Sequence, residues 1–242
     1  MTTVKDIFNH LNNLADVKLA EKWDNVGLML GSNNNEVSRV LVCLDVTTSV
    51  VEEAIANNVN LIVSHHPLIF KPLKNIDYTT DFKSRIIRNL IKNDISVISF
   101  HTNLDSATLG LNDYLAKILK LNEIQVLFEH SLDNTAGLGR IGKLTNPMKL
   151  NDFITYIKNC FSLEIVSAVI GDEKEISTIA LLGGSGADFI YTLPEVDVYL
   201  TGDVGYHAAL DAIEMKKNII DILKPMKNSE YFVFGIDETI DG

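Results

Sequence analysis

His65 and His66 stand side by side before Pro67, and His101 opens the run His101-Thr102-Asn103-Leu104-Asp105. Each group follows a short apolar stretch with the character of a buried strand, Leu61-Ile62-Val63 and residues 95–100. In open parallel sheets the carboxyl ends of strands border the ligand crevice, so three of the chain's six histidines converge on one edge with carboxylates alongside. Neighbouring side chains of an extended strand alternate in direction. His65 and His66 are therefore expected to diverge just past their strand, in a turn that Pro67 stiffens. Two divergent imidazoles beside a carboxylate suit two metal ions roughly 3.5–4 Å apart that share a water and lower its pKa. Nitrogen and oxygen donors of this kind fit Zn, Mn, Fe or Ni better than Ca or Mg. Asp45 also ends a strand but reads as a carboxylate leading a helix, while His10, His130 and His207 have no partner at ligand spacing. Gly183-Gly184-Ser185-Gly186 follows an apolar strand, and both a phosphate-receiving loop and a tight structural turn remain open there.

The elements that must carry these groups alternate in period. Val4, Ile7, Phe8, Leu11 and Leu14 form a helical stripe, and Trp23 to Leu28 reads as an irregular stretch with turn residues. Val40-Leu41-Val42-Cys43-Leu44 reads as a strand, and Thr47 as the N-cap of the helix that follows. Helices over 82–91 and 111–119 interleave with strands 61–63, 95–100 and 124–127. Glycines 137, 139 and 142 with Pro147 then thicken the punctuation and mark a boundary. Beyond it a helix over 150–161, strands at 164–169, 176–182 and 198–200, a helix over 205–216 and a last strand at 219–220 repeat the alternation. The expected architecture is α/β: two interlinked α/β halves with mixed, mostly parallel sheets flanked by helices. Residues 1–128 form a metal-binding half, and 129–242 a second half whose C-terminal segment returns to the metal site.

Composition bounds the partners. The 242 residues carry 32 acidic and 21 basic side chains, a formal charge of −11, which opposes broad electrostatic binding of DNA or RNA. Hydrophobic residues at 46% provide for a full core. Two cysteines, Cys43 and Cys160, build no disulfide framework. No run reaches the ~18 apolar residues of a membrane span. A cytoplasmic protein is expected.

Taken together, Glu21-Lys22-Trp23-Asp24-Asn25-Val26-Gly27-Leu28, Ser64-His65-His66-Pro67-Leu68-Ile69-Phe70-Lys71, His101-Thr102-Asn103-Leu104-Asp105, Gly183-Gly184-Ser185-Gly186 and Thr201-Gly202-Asp203 occur in an order that resembles one family. It is the Nif-three-like dinuclear metal-binding family, also called GTP cyclohydrolase 1 type 2, and the resemblance spans nearly the whole chain. The resemblance implies His65, His66 and Asp105 as metal ligands and His101 as a residue lining the site; in the implied reaction His101 or a metal-bound carboxylate handles protons. It implies up to two divalent transition-metal ions per chain and a toroidal homohexamer built from dimers. The activity implied is hydrolysis of a purine nucleotide through metal-activated water, with the Gly183–Gly186 stretch receiving phosphate. The rival expectation is a non-catalytic metal-binding or interaction scaffold.

One departure bears on the metals. The resemblance implies a C-terminal histidine followed four, or sometimes three, residues later by a bridging glutamate. Aligning on Ser229-Glu230-Tyr231-Phe232 keeps Glu230 as that ligand but puts Met226 or Lys227 where the histidine should be, and no histidine follows His207. A thioether is a poor ligand for a borderline metal and an ammonium repels it. One tightly held ion and one weak or absent ion are expected.

Overall fold

A computed structural model describes residues 1–222 and, as backbone, 231–235. The chain forms two compact units, Met1–Leu104 with Met226–Gly242, and Asp105–Pro225. Residues 105–128 thus belong with the second unit.

The first unit opens with α1 (Val4–Leu14), whose Thr3 cap and Asp6 satisfy each other's backbone amides in a capping box. The strand β1 (Gly27–Leu30) follows, then β2 (Arg39–Cys43), α2 (Thr48–Ala56), β3 (Leu61–Ser64), α3 (Phe82–Lys92) and β4 (Ser96–Ser99). Thr47 caps α2 as its sequence requires, its hydroxyl accepting from the Val50 amide. The short α4 (Thr102–Ser106) starts directly after His101. The strand order is β1-β4-β3-β2-β11, where β11 is Tyr231–Gly235. Parallel pairs β2–β3 and β3–β4 hold the centre, and antiparallel β1 and β11 close the two edges. Leu41, Ile62 and Val97 of the central strands pack with Val51 of α2 and Ile86 and Leu90 of α3 in one buried cluster.

The second unit contains α5 (Leu111–Ile118), β5 (Asn122–His130), β6 (Asp133–Lys149), α6 (Leu150–Phe161), β7 (Ser167–Val169), β8 (Glu175–Ser185), β9 (Val198–Gly202), α7 (Tyr206–Glu214) and β10 (Ile219–Asp221). Its sheet runs β5-β6-β8-β9-β10-β7, again parallel at β8–β9–β10 and antiparallel elsewhere. Along β8, Ile179 and Leu181 enter one core with Phe153 and Ile157 of α6, while Ala180 and Leu182 enter another with Ala212 of α7. The sheet is therefore covered on both faces at β8, where residues 179–182 read as an unbroken apolar run. Both sheets are mixed and flanked by helices, so the fold is α/β as its sequence requires.

Two glycine-rich stretches differ from expectation. Gly137, Gly139 and Gly142 lie inside the long strand β6. At Gly139 the backbone adopts φ +69°, and an added Cβ would sit 2.7 Å from the Leu181 carbonyl oxygen. Glycine there permits close strand contact, so the composition that reads as a boundary in the sequence serves a strand. Gly183-Gly184-Ser185 likewise continues β8. The Gly183 amide donates to Asn112 Oδ1 at 2.8 Å and the Gly186 amide to Thr201 Oγ1 at 3.0 Å, so these two donors are already engaged and offer nothing to a phosphate. Among the described residues no helix is long and apolar enough to cross a membrane.

Candidate metal centre

Strand register builds the site. The parallel pair β2–β3 sets Cys43 against Ser64, and β3–β4 sets Ser64 against Ser99. The ladder runs on past the strand ends: the His65 amide donates to the Cys43 carbonyl, His66 to Leu44 and Phe100 to Ser64. Asp45, His66 and His101, each two residues beyond these registered positions, are thereby brought level. At the sheet edge, antiparallel pairing of Gly27 with Ser99 carries the residues before β1 back alongside those after β4. That reversal places Asp24 beside His101.

A ring nitrogen from each of His65, His66 and His101 lies within 4.8 Å of the others, a spacing that one ion can bridge. The ring centroids of His65 and His66 are 4.9 Å apart, and His101 stands 5.1 and 5.6 Å from them. The two adjacent histidines therefore converge on one cluster, contrary to the divergence expected from strand alternation. Alternation ends at Ser64, where the chain leaves β3 and bends. Ser64 Oγ donates to the His66 carbonyl at 2.9 Å and lies 2.8 Å from Ser99 Oγ, fixing that bend.

Each imidazole is oriented through Nδ1. His65 Nδ1 lies 2.9 Å from the Phe100 carbonyl oxygen, His66 Nδ1 lies 2.9 Å from Asp45 Oδ1, and His101 Nδ1 lies 2.9 Å from Asp24 Oδ1. A carbonyl oxygen only accepts, so His65 Nδ1 carries the proton and Nε2 the lone pair that a metal would use. Burial, reinforced by the neighbouring imidazoles of His66 and His101, pushes the His65 pKa down to about 4 and keeps the ring neutral. Around Asp24 burial works in the opposite direction, raising its pKa, but hydrogen bonds from His101 and Thr102 outweigh it and bring the carboxylate down to about 2. The Thr102 amide and hydroxyl both donate to Asp24 Oδ2, at 3.1 and 2.5 Å.

Neither Asp24 nor Asp45 carries a local signal of this role: Asp24 lies in the irregular stretch from Trp23 to Leu28, and Asp45 reads as a carboxylate leading a helix. A carboxylate behind an imidazole, as at His66 and His101, is an arrangement that sets tautomer and ring orientation in metal sites. Asn in place of Asp45, the carboxylate behind His66, is expected to weaken metal retention about 10- to 100-fold, checked by titrating a chelator against the metal-loaded variant and wild type. Equal affinities would show that Asp45 does not support the site.

Asp105 lies on α4 and is 8% exposed. Glu230, and with it Met226 and Lys227, lies outside the described residues. Among the described residues His10, His130 and His207 join no cluster of metal-ligating side chains.

The Duf34/NIF3 (NGG1p interacting factor 3) family model matches residues 2–231. A Clostridium perfringens protein named GTP cyclohydrolase 1 type 2 homolog is 39% identical over 222 residues, covering 90% of this chain and 84% of its own. The Helicobacter pylori protein named GTP cyclohydrolase 1 type 2 is 34% identical over 224 residues, covering 91% and 85%. Among solved structures, Staphylococcus aureus protein SA1388 superposes with a TM-score of 0.83 at 33% identity, over 91% of this chain and 86% of that one. Reduced HcgD from Methanocaldococcus jannaschii gives 0.80 at 29%, over 91% and 86%. A match along nearly the whole chain, carried by relatives this similar, means that the chain belongs to the Duf34/NIF3 family.

Proposed function

We propose that this protein is a metal-dependent hydrolase acting on a purine nucleotide. The observation that carries the reading is the cluster of three imidazoles, each held through Nδ1, with a ring nitrogen apiece inside 4.8 Å. This donor set fits a divalent transition metal such as Zn, Mn, Fe or Ni. His65 and His66 would hold the ion, and the family resemblance adds the carboxylates of Asp105 and Glu230 and a place for a second ion. A bound ion of this class would polarise the substrate and bring the pKa of a water towards neutrality. The name of the Helicobacter pylori relative supplies the substrate class, a guanine nucleotide. Assembly as a homohexamer in the cytoplasm belongs to the same reading.

His101 is the proton-handling residue in this scheme. Its partner Asp24 has a fully covered carboxylate side chain, whereas the Asp45 partner of His66 is 34% exposed. A buried carboxylate on Nδ1 orients an imidazole and stabilises its protonated form, which suits a group that takes up and returns a proton.

The test is turnover of GTP by the protein loaded in turn with Mn, Zn, Fe or Ni, with metal content measured alongside. The His101→Gln variant is expected to keep its metal and to lose roughly 10²–10⁴-fold in rate. No turnover with any of the four metals would sink the hydrolase reading. Loss of the metal from His101→Gln would make His101 a ligand instead.

A further inference from the structure

Two exposed aromatic side chains border the imidazole cluster. Trp23 is 60% exposed and Phe70 38%, and their rings meet edge to face with centroids 6.0 Å apart at 67°. Each ring centroid lies 6.4 Å from that of His101. Exposed aromatics scattered singly need no explanation. These two are paired, and each is next in sequence to a hydrogen-bonded anchor.

Asp24, next to Trp23, is fastened to His101 and Thr102, and Asn25 Nδ2 donates to the Ile69 carbonyl at 2.5 Å, beside Phe70. The segment before β1 and the segment after His66 are thus tied to one another and to the histidines. With the backbone on both sides already anchored, stacking would have to order two side chains and not two loops. Edge-to-face contact at 6.0 Å leaves no slot between the two rings, so a flat ligand would lie on the outer face of the pair. Lys22 and Lys71, the sequence neighbours of Trp23 and Phe70, are both exposed, and they are cations in a chain of net charge −11.

We propose that Trp23 and Phe70 form a stacking wall for a planar, nitrogen-containing aromatic ring, the base of a nucleotide, and hold one edge of that ring towards His101. The choice of a nucleotide rests on the hydrolase reading above; the wall itself rests on the aromatic geometry. Stacking is tolerant of which base is offered, because every base has a π face, so discrimination among bases would have to come from edge contacts.

Trp23 is the only tryptophan in the chain, so its emission reports this surface directly. The metal-free protein is titrated with GMP, AMP, CMP and UMP, and with ribose 5-phosphate as the ligand that lacks a base. Absorbance by the nucleotide is corrected against free N-acetyltryptophanamide. Saturable quenching by at least one nucleotide and none by ribose 5-phosphate is expected. By equilibrium dialysis, Trp23→Ala and Phe70→Ala should each bind that nucleotide roughly 5- to 150-fold more weakly, while Trp23→Tyr should keep most of the affinity. Retention of metal by both alanine variants would show that they are folded. Absence of quenching by all four nucleotides would overturn the proposal, as would equal quenching by ribose 5-phosphate or unchanged affinity in Trp23→Ala. Quenching without GTP turnover leaves the wall standing and removes the hydrolase; turnover with unchanged nucleotide binding in Trp23→Ala does the reverse.

Discussion

Alanine at position 65 is expected to strip the centre of its metal. His65 is half-buried and held neutral, with its Nδ1 proton committed to the Phe100 carbonyl and its Nε2 lone pair available to a metal. Loss of an outer-shell partner costs about 10- to 100-fold in metal affinity, and loss of the ligand itself should exceed that. The measurement is metal content per chain after exhaustive dialysis, with His10→Ala, an exposed histidine on α1, as the matched control. Wild type and His10→Ala should retain roughly one equivalent, because Met226 or Lys227 stands where a further imidazole ligand is expected. Two tightly retained equivalents would show that the missing histidine is compensated. An unchanged ion in His65→Ala would refute the centre.

The largest effect on stability is expected at Arg140, in the second unit. This guanidinium is 2% exposed. It grips Asp113 in a bidentate pair, Nε to Oδ1 at 2.6 Å and an Nη to Oδ2 at 2.8 Å, and donates as well to the carbonyls of Gly137, Gly139 and Ala107. Arg140→Met would remove the donor from three carbonyls and leave the Asp113 carboxylate with the Leu109 amide but no counter-charge. Breaking a buried pair in this way costs about 3–5 kcal/mol, against a total of about 5–15 kcal/mol for a domain. With a urea dependence of about 1–3 kcal/mol per molar, the unfolding midpoint should fall by about 2 M. A fall below about 0.5 M would refute the assignment. The double variant Arg140→Met with Asp113→Leu should recover part of the loss, because it removes the orphaned charge.

The same pair sets a pH dependence. Burial raises the Asp113 pKa, but the hydrogen bond and charge of Arg140 outweigh it, so the folded-state value lies below the ordinary carboxylate value. A depressed folded-state pKa stabilises fully above the unfolded value, near 3.9, and its contribution fades as the pH falls through the folded one.

Much of the fold was legible because burial leaves its period in the chain. The β8 run Ile179-Ala180-Leu181-Leu182 is apolar throughout because both faces are covered, and the α6 stripe over Leu150–Phe161 has matching limits in the structure. The histidines were legible because strand ends, His-His-Pro and His-Thr-Asn-Leu-Asp are local signals. Their supports were not. Asp24 reaches His101 across 77 positions and Asp45 reaches His66 across 21, and neither contact has a local signature. Both depend on register, the first on the antiparallel edge strand β1, whose first two residues fall in the stretch that reads as irregular. Gly139 and Gly183 misled for a related reason: glycine serves a turn and a close strand contact equally well, and only the neighbouring backbone distinguishes the two.

The return of Tyr231–Gly235 to pair with Arg39–Cys43 has a consequence for how the polypeptide is made. On the ribosome, β2 emerges early, yet its outer edge is left without its partner until Tyr231–Gly235 has followed, about 190 residues later. The second unit can finish folding in that interval, since its residues are contiguous. The first cannot. Throughout elongation a row of unpaired backbone donors and acceptors beside Val40, Leu41 and Val42 is open to other strands, the kind of edge on which nascent chains aggregate.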